Sequence, residues 1–205
     1  FETSQESVAF FDQLIESAPN KEDLILSRLG INYDTCHLAV EYESAEESLA
    51  RLVDQGILLS KIHISSAVKV SDFSESTLAM LEGFCEDVYL HQVVAQSQGE
   101  LLKRYEDLDI ALEDRRGGNE TSDEWRIHFH IPVHVYPEPP IFPTNDHIFG
   151  TFDYLQKFPG TCSHFEIETY TWEVLPQLVG KSDVVDQLVK EYQWTLREFE
   201  VRGLR

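Results

Sequence analysis

Trp125-Arg126-Ile127-His128-Phe129-His130-Ile131-Pro132-Val133-His134-Val135 alternates apolar and polar side chains. Successive side chains on a strand point to opposite faces, so the spacing predicts a strand over Trp125–Val135. Ile127, Phe129, Ile131, Val133 and Val135 take one face, and His128, His130 and His134 take the other. The same partition recurs elsewhere. In Ile57–Ser65, Ile62 and Ile64 oppose Lys61, His63 and Ser65; in His164–Tyr170, Phe165 and Ile167 oppose His164, Glu166 and Glu168. In Ile31–Asp34, Ile31 and Tyr33 oppose Asn32 and Asp34. An antiparallel sheet with one wet face also alternates. Two features weigh against that reading: the polar positions are rich in His, Asp and Glu, and the connections read as helices.

Those connections carry helix signals. Thr3-Ser4-Gln5-Glu6 reads as a capping box ahead of Val8, Phe10, Phe11, Leu14 and Ile15, and Ser44 with Glu47 opens a helix that Gly56 closes. Further helices are expected over Lys21–Leu29, Ser74–Cys85, Leu108–Leu112, His147–Phe158 and Ser182–Phe199. The last carries Val184, Val185, Leu188, Val189, Tyr192 and Leu196 on one side. Repeated strand-then-helix units imply an α/β fold with a parallel sheet. Tyr89–Ala95 and Glu100–Tyr105, separated by Gln96–Gly99, read as an inserted β-hairpin outside that sheet, and Pro137–Pro143 as an extended loop. A doubly wound sheet would want strands apolar on both faces. A barrel with an inward, metal-binding face accounts for both the pattern and the residue types.

Imidazole and carboxylate donors suit a divalent metal such as Mn²⁺, Fe²⁺ or Zn²⁺, and ligands on separate strand ends leave positions open for substrate. His91 and His147 read as core or solvent residues. Sixteen basic against 37 acidic residues give a formal charge of −21, which argues against a nucleic-acid partner. Cys36, Cys85 and Cys162 form no CxxC, which fits a reducing, cytoplasmic setting. No apolar run approaches the ~18 residues of a transmembrane span. The 205 residues fall short of the ~250 of a complete eight-stranded barrel, and the chain opens at Phe1 rather than Met. The expectation is one domain over 1–205 that is part of a longer protein.

Gly30-Ile31-Asn32-Tyr33-Asp34-Thr35-Cys36-His37 resembles the D-T-x-H strand end of xylose isomerase-like TIM barrels, which include sugar phosphate isomerases and epimerases and endonuclease IV. Lys61-Ile62-His63-Ile64-Ser65-Ser66-Ala67 and Phe165-Glu166-Ile167-Glu168-Thr169 resemble later ligand strands of that superfamily. The resemblance implies the C-terminal half of a (β/α)8 barrel, its N-terminal half and one Glu ligand lying upstream. It implies Asp34, His63 and Glu168 as metal ligands, with Glu166 second to Glu168, and His37 as a further ligand, as in the nucleases, or a substrate-side residue, as in the epimerases. It also implies Glu168, or the upstream Glu, as base, with His37 beside a substrate oxygen; Lys61, on the inward face, is expected either to hold an anionic group or to pair with Asp34 or Glu168. His128, His134, Glu166 and Trp172 are expected around the substrate.

A wider set of motifs is similar to the EboE-like metabolite traffic family, whose bacterial and algal-plastid gene clusters are implicated in secondary-metabolite export. These are Asp34–Glu41, Lys61–Ala67, Tyr89–Gln92, Trp125–Val133 and Glu166–Pro176. That resemblance implies a small sugar-like or secondary metabolite as partner, in the cytoplasm or a plastid stroma. The His128/His130 strand departs from plain epimerases: either His130 replaces or supplements a metal ligand, or the strand is an addition to the barrel. A non-catalytic metabolite carrier is the alternative function, and an endonuclease IV-like nuclease is disfavoured by the −21 charge. Unpaired edges of a half barrel further imply association with its missing half or as a homo-oligomer.

Overall fold

The computed structural model describes residues 1–85, 89–169 and 183–204. In chain order these form α1 (Ser4–Ser17), a 3₁₀ turn (Pro19–Lys21), α2 (Glu22–Arg28), β1 (Gly30–Asp34), α3 (Thr35–Val40) and α4 (Ala45–Asp54). There follow β2 (Leu58–Ile64), β3 (Ser66–Val70), α5 (Glu75–Glu82), β4 (Val93–Ser97), β5 (Glu100–Tyr105) and α6 (Leu108–Arg116). The chain continues through β6 (Glu124–Ile131), β7 (Ile141–Pro143), α7 (Asn145–Lys157), β8 (Phe165–Ile167) and α8 (Val184–Arg202).

The local signals act as expected. Thr3 and Glu6 form the capping box of α1, and the Ser44 hydroxyl accepts from the Glu47 amide at the start of α4. Gly56 takes φ +71°, a left-handed conformation that costs a residue without Cβ little. Gly30 is required for a different reason: a Cβ there would sit 2.6 Å from the Leu58 carbonyl, where β1 closes on β2.

Two open sheets result, so the fold is α/β. One is parallel, in the order β1-β2-β8; the other is antiparallel, in the order β5-β4-β6-β3-β7. The expectation of one parallel sheet through all the strand–helix units is therefore corrected. The His128/His130 strand, β6, runs antiparallel to β3 and β4. The unforeseen element is β3: the chain leaves β2 at Ser65 and pairs at once in the other sheet. Within the Pro-rich stretch, β7 also pairs with β3. The predicted hairpin forms as β4 and β5, and extends the antiparallel sheet through β6.

Each sheet has its own apolar core. Val68, Leu81, Leu108, Trp125, Ile127 and Phe129 pack beneath α5 and α6, while Tyr33, Leu49, Leu52, Ile62, Ile64 and Phe152 pack among α1, α4 and α7. The first core is pinned by Glu120, whose carboxylate accepts from Trp125 Nε1 (3.0 Å), Arg115 (2.8 Å) and the Ser122 amide (2.6 Å). Removing one partner of a buried charge pair strands the other. Glu120→Ala should thus cost ~3 kcal/mol in urea unfolding, and Glu120→Gln markedly less; equal stability for all three proteins would contradict this network.

The apolar stripe expected to seat the last helix faces outward. Val184, Val185, Val189, Tyr192 and Leu196 are exposed, whereas Gln187, Glu191, Trp194 and Thr195 are buried. Specific anchors override the stripe: Glu191 Oε1 accepts from the Val133 amide (3.1 Å) and the Thr169 hydroxyl (2.6 Å), and Trp194 packs near Phe149. No helix among the described residues is long and apolar enough to cross a membrane.

Candidate metal centre

The parallel register assembles the centre. Asp34 lies beside His63, and His63 beside Glu166, so three neighbouring strands present polar side chains at one level of one face. Glu168, two residues past Glu166, returns to the same side. Its amide donates to the Ile64 carbonyl at 3.3 Å, which holds the segment on β2 beyond the end of β8.

Asp34 is fixed by one oxygen and presents the other. Its Oδ1 accepts from the Cys36 amide (2.9 Å), the His37 amide (3.1 Å) and the Ser65 hydroxyl (2.8 Å), capping α3. Thr35 ties β1 to the end of β2, its hydroxyl donating to the Ser65 carbonyl (2.7 Å) and accepting from the Ser65 amide (2.9 Å). The free oxygen, Oδ2, lies 3.3 Å from His63 Nδ1, and Glu168 Oε2 lies 2.8 Å from the same nitrogen. One donor atom from each of Asp34, His63 and Glu168 falls within 4.8 Å of the others.

The electrostatics fit two carboxylates sharing one imidazole. Burial works to raise the Asp34 pKa, but the His63 hydrogen bond and the charges of His37 and His130 carry it well below the usual carboxylate range. His63 is raised to about 9, first by its bond to Asp34 and then, against burial, by Glu166 and Glu168. Glu168 is raised by burial and by the neighbouring Asp34 charge. The centre thus concentrates negative charge on donors that a proton on His63 bridges, and a divalent cation suits the same donors.

The remaining expected residues fall around this centre unevenly. Lys61 pairs with Glu166 (2.6 Å), and Glu166 also meets His63 Nε2 (2.8 Å) and His164 (3.0 Å), which lowers the Glu166 pKa to about 2. His37 is exposed, its ring 4.1 Å from that of His128, and it lines a ≈ 340 Å³ cavity with Asn32, Asp34, His63 and Glu168. That volume suits a small ligand. His130 donates from Nδ1 to the Glu168 carbonyl at 2.7 Å. His134 lies past the end of β6, where burial and the charges of Lys190 and Arg197 lower its pKa, and it makes no hydrogen bond to the centre among the described residues. Trp172 lies outside the described residues.

His91 and His147 are both buried. His147 binds the Tyr33 hydroxyl (2.9 Å) and the Glu43 carbonyl (3.1 Å). Sequence reasoning passed over Ser65 as the Asp34 support and Cys36 as a donor beside His128 and His130. Cys36 was visible between Asp34 and His37, but its neighbours on β6 are distant in sequence.

Comparison with family models, curated proteins and solved structures finds no match to this chain.

Proposed function

We propose that this protein is a divalent metal-dependent, xylose isomerase-like protein that acts on a small sugar-like or secondary metabolite, as the metabolite traffic resemblance implies. The observation that carries the reading is the convergence of Asp34, His63 and Glu168, from adjacent parallel strand ends, onto donor atoms within 4.8 Å of one another. The parallel β1-β2-β8 sheet corresponds, on this reading, to part of a barrel wall, and the antiparallel sheet is an addition beside it.

Asp34, His63 and Glu168 would hold Mn²⁺, Fe²⁺ or Zn²⁺, with His130 and His37 close at hand. Bound there, the metal would polarise a carbonyl or hydroxyl oxygen of the substrate. Glu168 is suited to taking a proton from the adjacent carbon, because its raised pKa brings it nearer neutral pH than an ordinary carboxylate. His37, exposed at the cavity wall, is placed to steady a substrate oxygen. Lys61 is held by Glu166, so binding an anionic group would require it to exchange that partner.

Metal content by mass spectrometry tests the reading. After reconstitution with Mn²⁺, which suits carboxylate and imidazole donors better than thiolate, the expected result is near one equivalent in the wild type and its loss in Asp34→Ala and His63→Ala. Candidate sugars incubated with the loaded protein in D₂O should gain deuterium at the carbon beside the carbonyl. Tight binding without exchange would favour the carrier function instead. Wild-type protein that takes up no metal would overturn the metal-dependent reading.

A further inference from the structure

We propose that Cys36, His128 and His130 form a second cation site, sharing no donor with the Asp34–His63–Glu168 centre, that takes Zn²⁺ through one thiolate and two imidazoles. A sulfur or nitrogen donor from each of the three lies within 4.8 Å of the others. Cys36 is fully buried in α3, and both histidines project from one face of β6, two residues apart. The donors thus come from two elements packed together.

Two features point to a ligand rather than to packing alone. His128 Nε2 is buried and has no hydrogen-bond partner among the described residues. Leaving such a nitrogen in an apolar setting costs free energy that a metal bond would recover. His130 donates its Nδ1 proton to the Glu168 carbonyl at 2.7 Å. That bond fixes the tautomer in which Nε2 carries the lone pair, the arrangement typical of metal-bound histidine.

The donor set selects the metal. One sulfur with two imidazoles favours a borderline-soft cation over Mg²⁺, Ca²⁺ or Mn²⁺, and three protein ligands leave a tetrahedral zinc with a position for water or substrate. Binding would release the Cys36 thiol proton to solvent as the Zn–S bond forms. The nearby Asp34 and Glu168 carboxylates offset the added positive charge. His130 links the two sites, because the residue whose side chain serves the first centre orients by its carbonyl a donor of the second.

Cobalt substitution tests this site separately from the first. Full-length protein stripped with chelator and titrated with Co²⁺ should develop the near-ultraviolet sulfur-to-cobalt charge-transfer band, saturating at one equivalent per Cys36. Cys36→Ser and His128→Gln should each abolish or sharply reduce that band, whereas Asp34→Asn, which disables only the first centre, should retain it. Circular dichroism checks that the variants fold. Should Cys36→Ser fail to fold, X-ray absorption on the zinc-loaded wild type decides, with sulfur in the zinc coordination shell expected. Cobalt bound without a sulfur band, a band that survives Cys36→Ser, or zinc with only nitrogen and oxygen neighbours would overturn the second site.

Discussion

If the Asp34–His63–Glu168 centre holds a divalent metal as proposed, replacing His63 by Ala should lower its affinity for that metal by more than ~100-fold, because loss of a residue that merely orients a ligand already costs ~10–100-fold. The argument is geometric. His63 meets Asp34 Oδ2, Glu168 Oε2 and Glu166 Oε2 together, at 3.3, 2.8 and 2.8 Å. Without it the Asp34 and Glu168 carboxylates face each other, and the N,O,O donor set loses its one nitrogen. Ser65→Ala makes a milder companion. It removes a 2.8 Å bond to Asp34 Oδ1 and leaves the two amide bonds that also hold that oxygen. Its affinity loss should therefore stay within the ~10–100-fold range of outer-shell changes. Isothermal titration with Mn²⁺ separates the two, and equal affinities for wild type and His63→Ala would remove His63 from the centre.

Acid should destabilise the metal-free protein steeply, with His147 as a principal cause. Its pKa is lowered from 6.5 to about 4, first by burial, against the raising effect of the Glu43 carbonyl. The unfolded chain gains a proton on this ring as pH falls through 6.5, while the folded chain resists until about 4. Unfolding therefore takes up a proton in that window, and stability falls as pH falls through it. Across the window one such group removes on the order of 3 kcal/mol. His128 and His130, lowered to about 3 and about 4, act in the same direction. Urea unfolding between pH 7 and pH 4, followed by Trp fluorescence, should show this loss, with a shallower dependence in His147→Gln. An identical pH slope in that variant would mean that His147 titrates normally.

Much of the centre was legible in the chain because strand alternation is local. Lys61, His63, Glu166 and Glu168 share a face in the structure as their spacing implied, and Asp34 ends its strand as the cap of the following helix. The caps of α1 and α4 were equally legible, since a cap is set by residues within one turn. The seating of α8 was not. Its apolar stripe argues for one face, and the partners that reverse the choice, Val133 and Thr169, lie 58 and 22 residues from Glu191. The direction of β6 was likewise hidden, since alternation is the same in parallel and antiparallel strands.

What the sequence by itself determined is the inventory: α/β elements, apolar and polar faces, and imidazole and carboxylate donors concentrated on the polar ones. Each of these is written in periods of two or three to four residues. Only the tertiary structure decided how the inventory is shared out. The strand switch at Ser65 sends His63 into a parallel sheet and the β3 segment into an antiparallel one. It thereby brings Asp34, His63 and Glu168 together as one group and Cys36, His128 and His130 as another. The physical reason is that register and strand direction rest on hydrogen bonds between segments as far apart as Asp34 and Glu168, and no local pattern encodes which of several compatible pairings closes the better core.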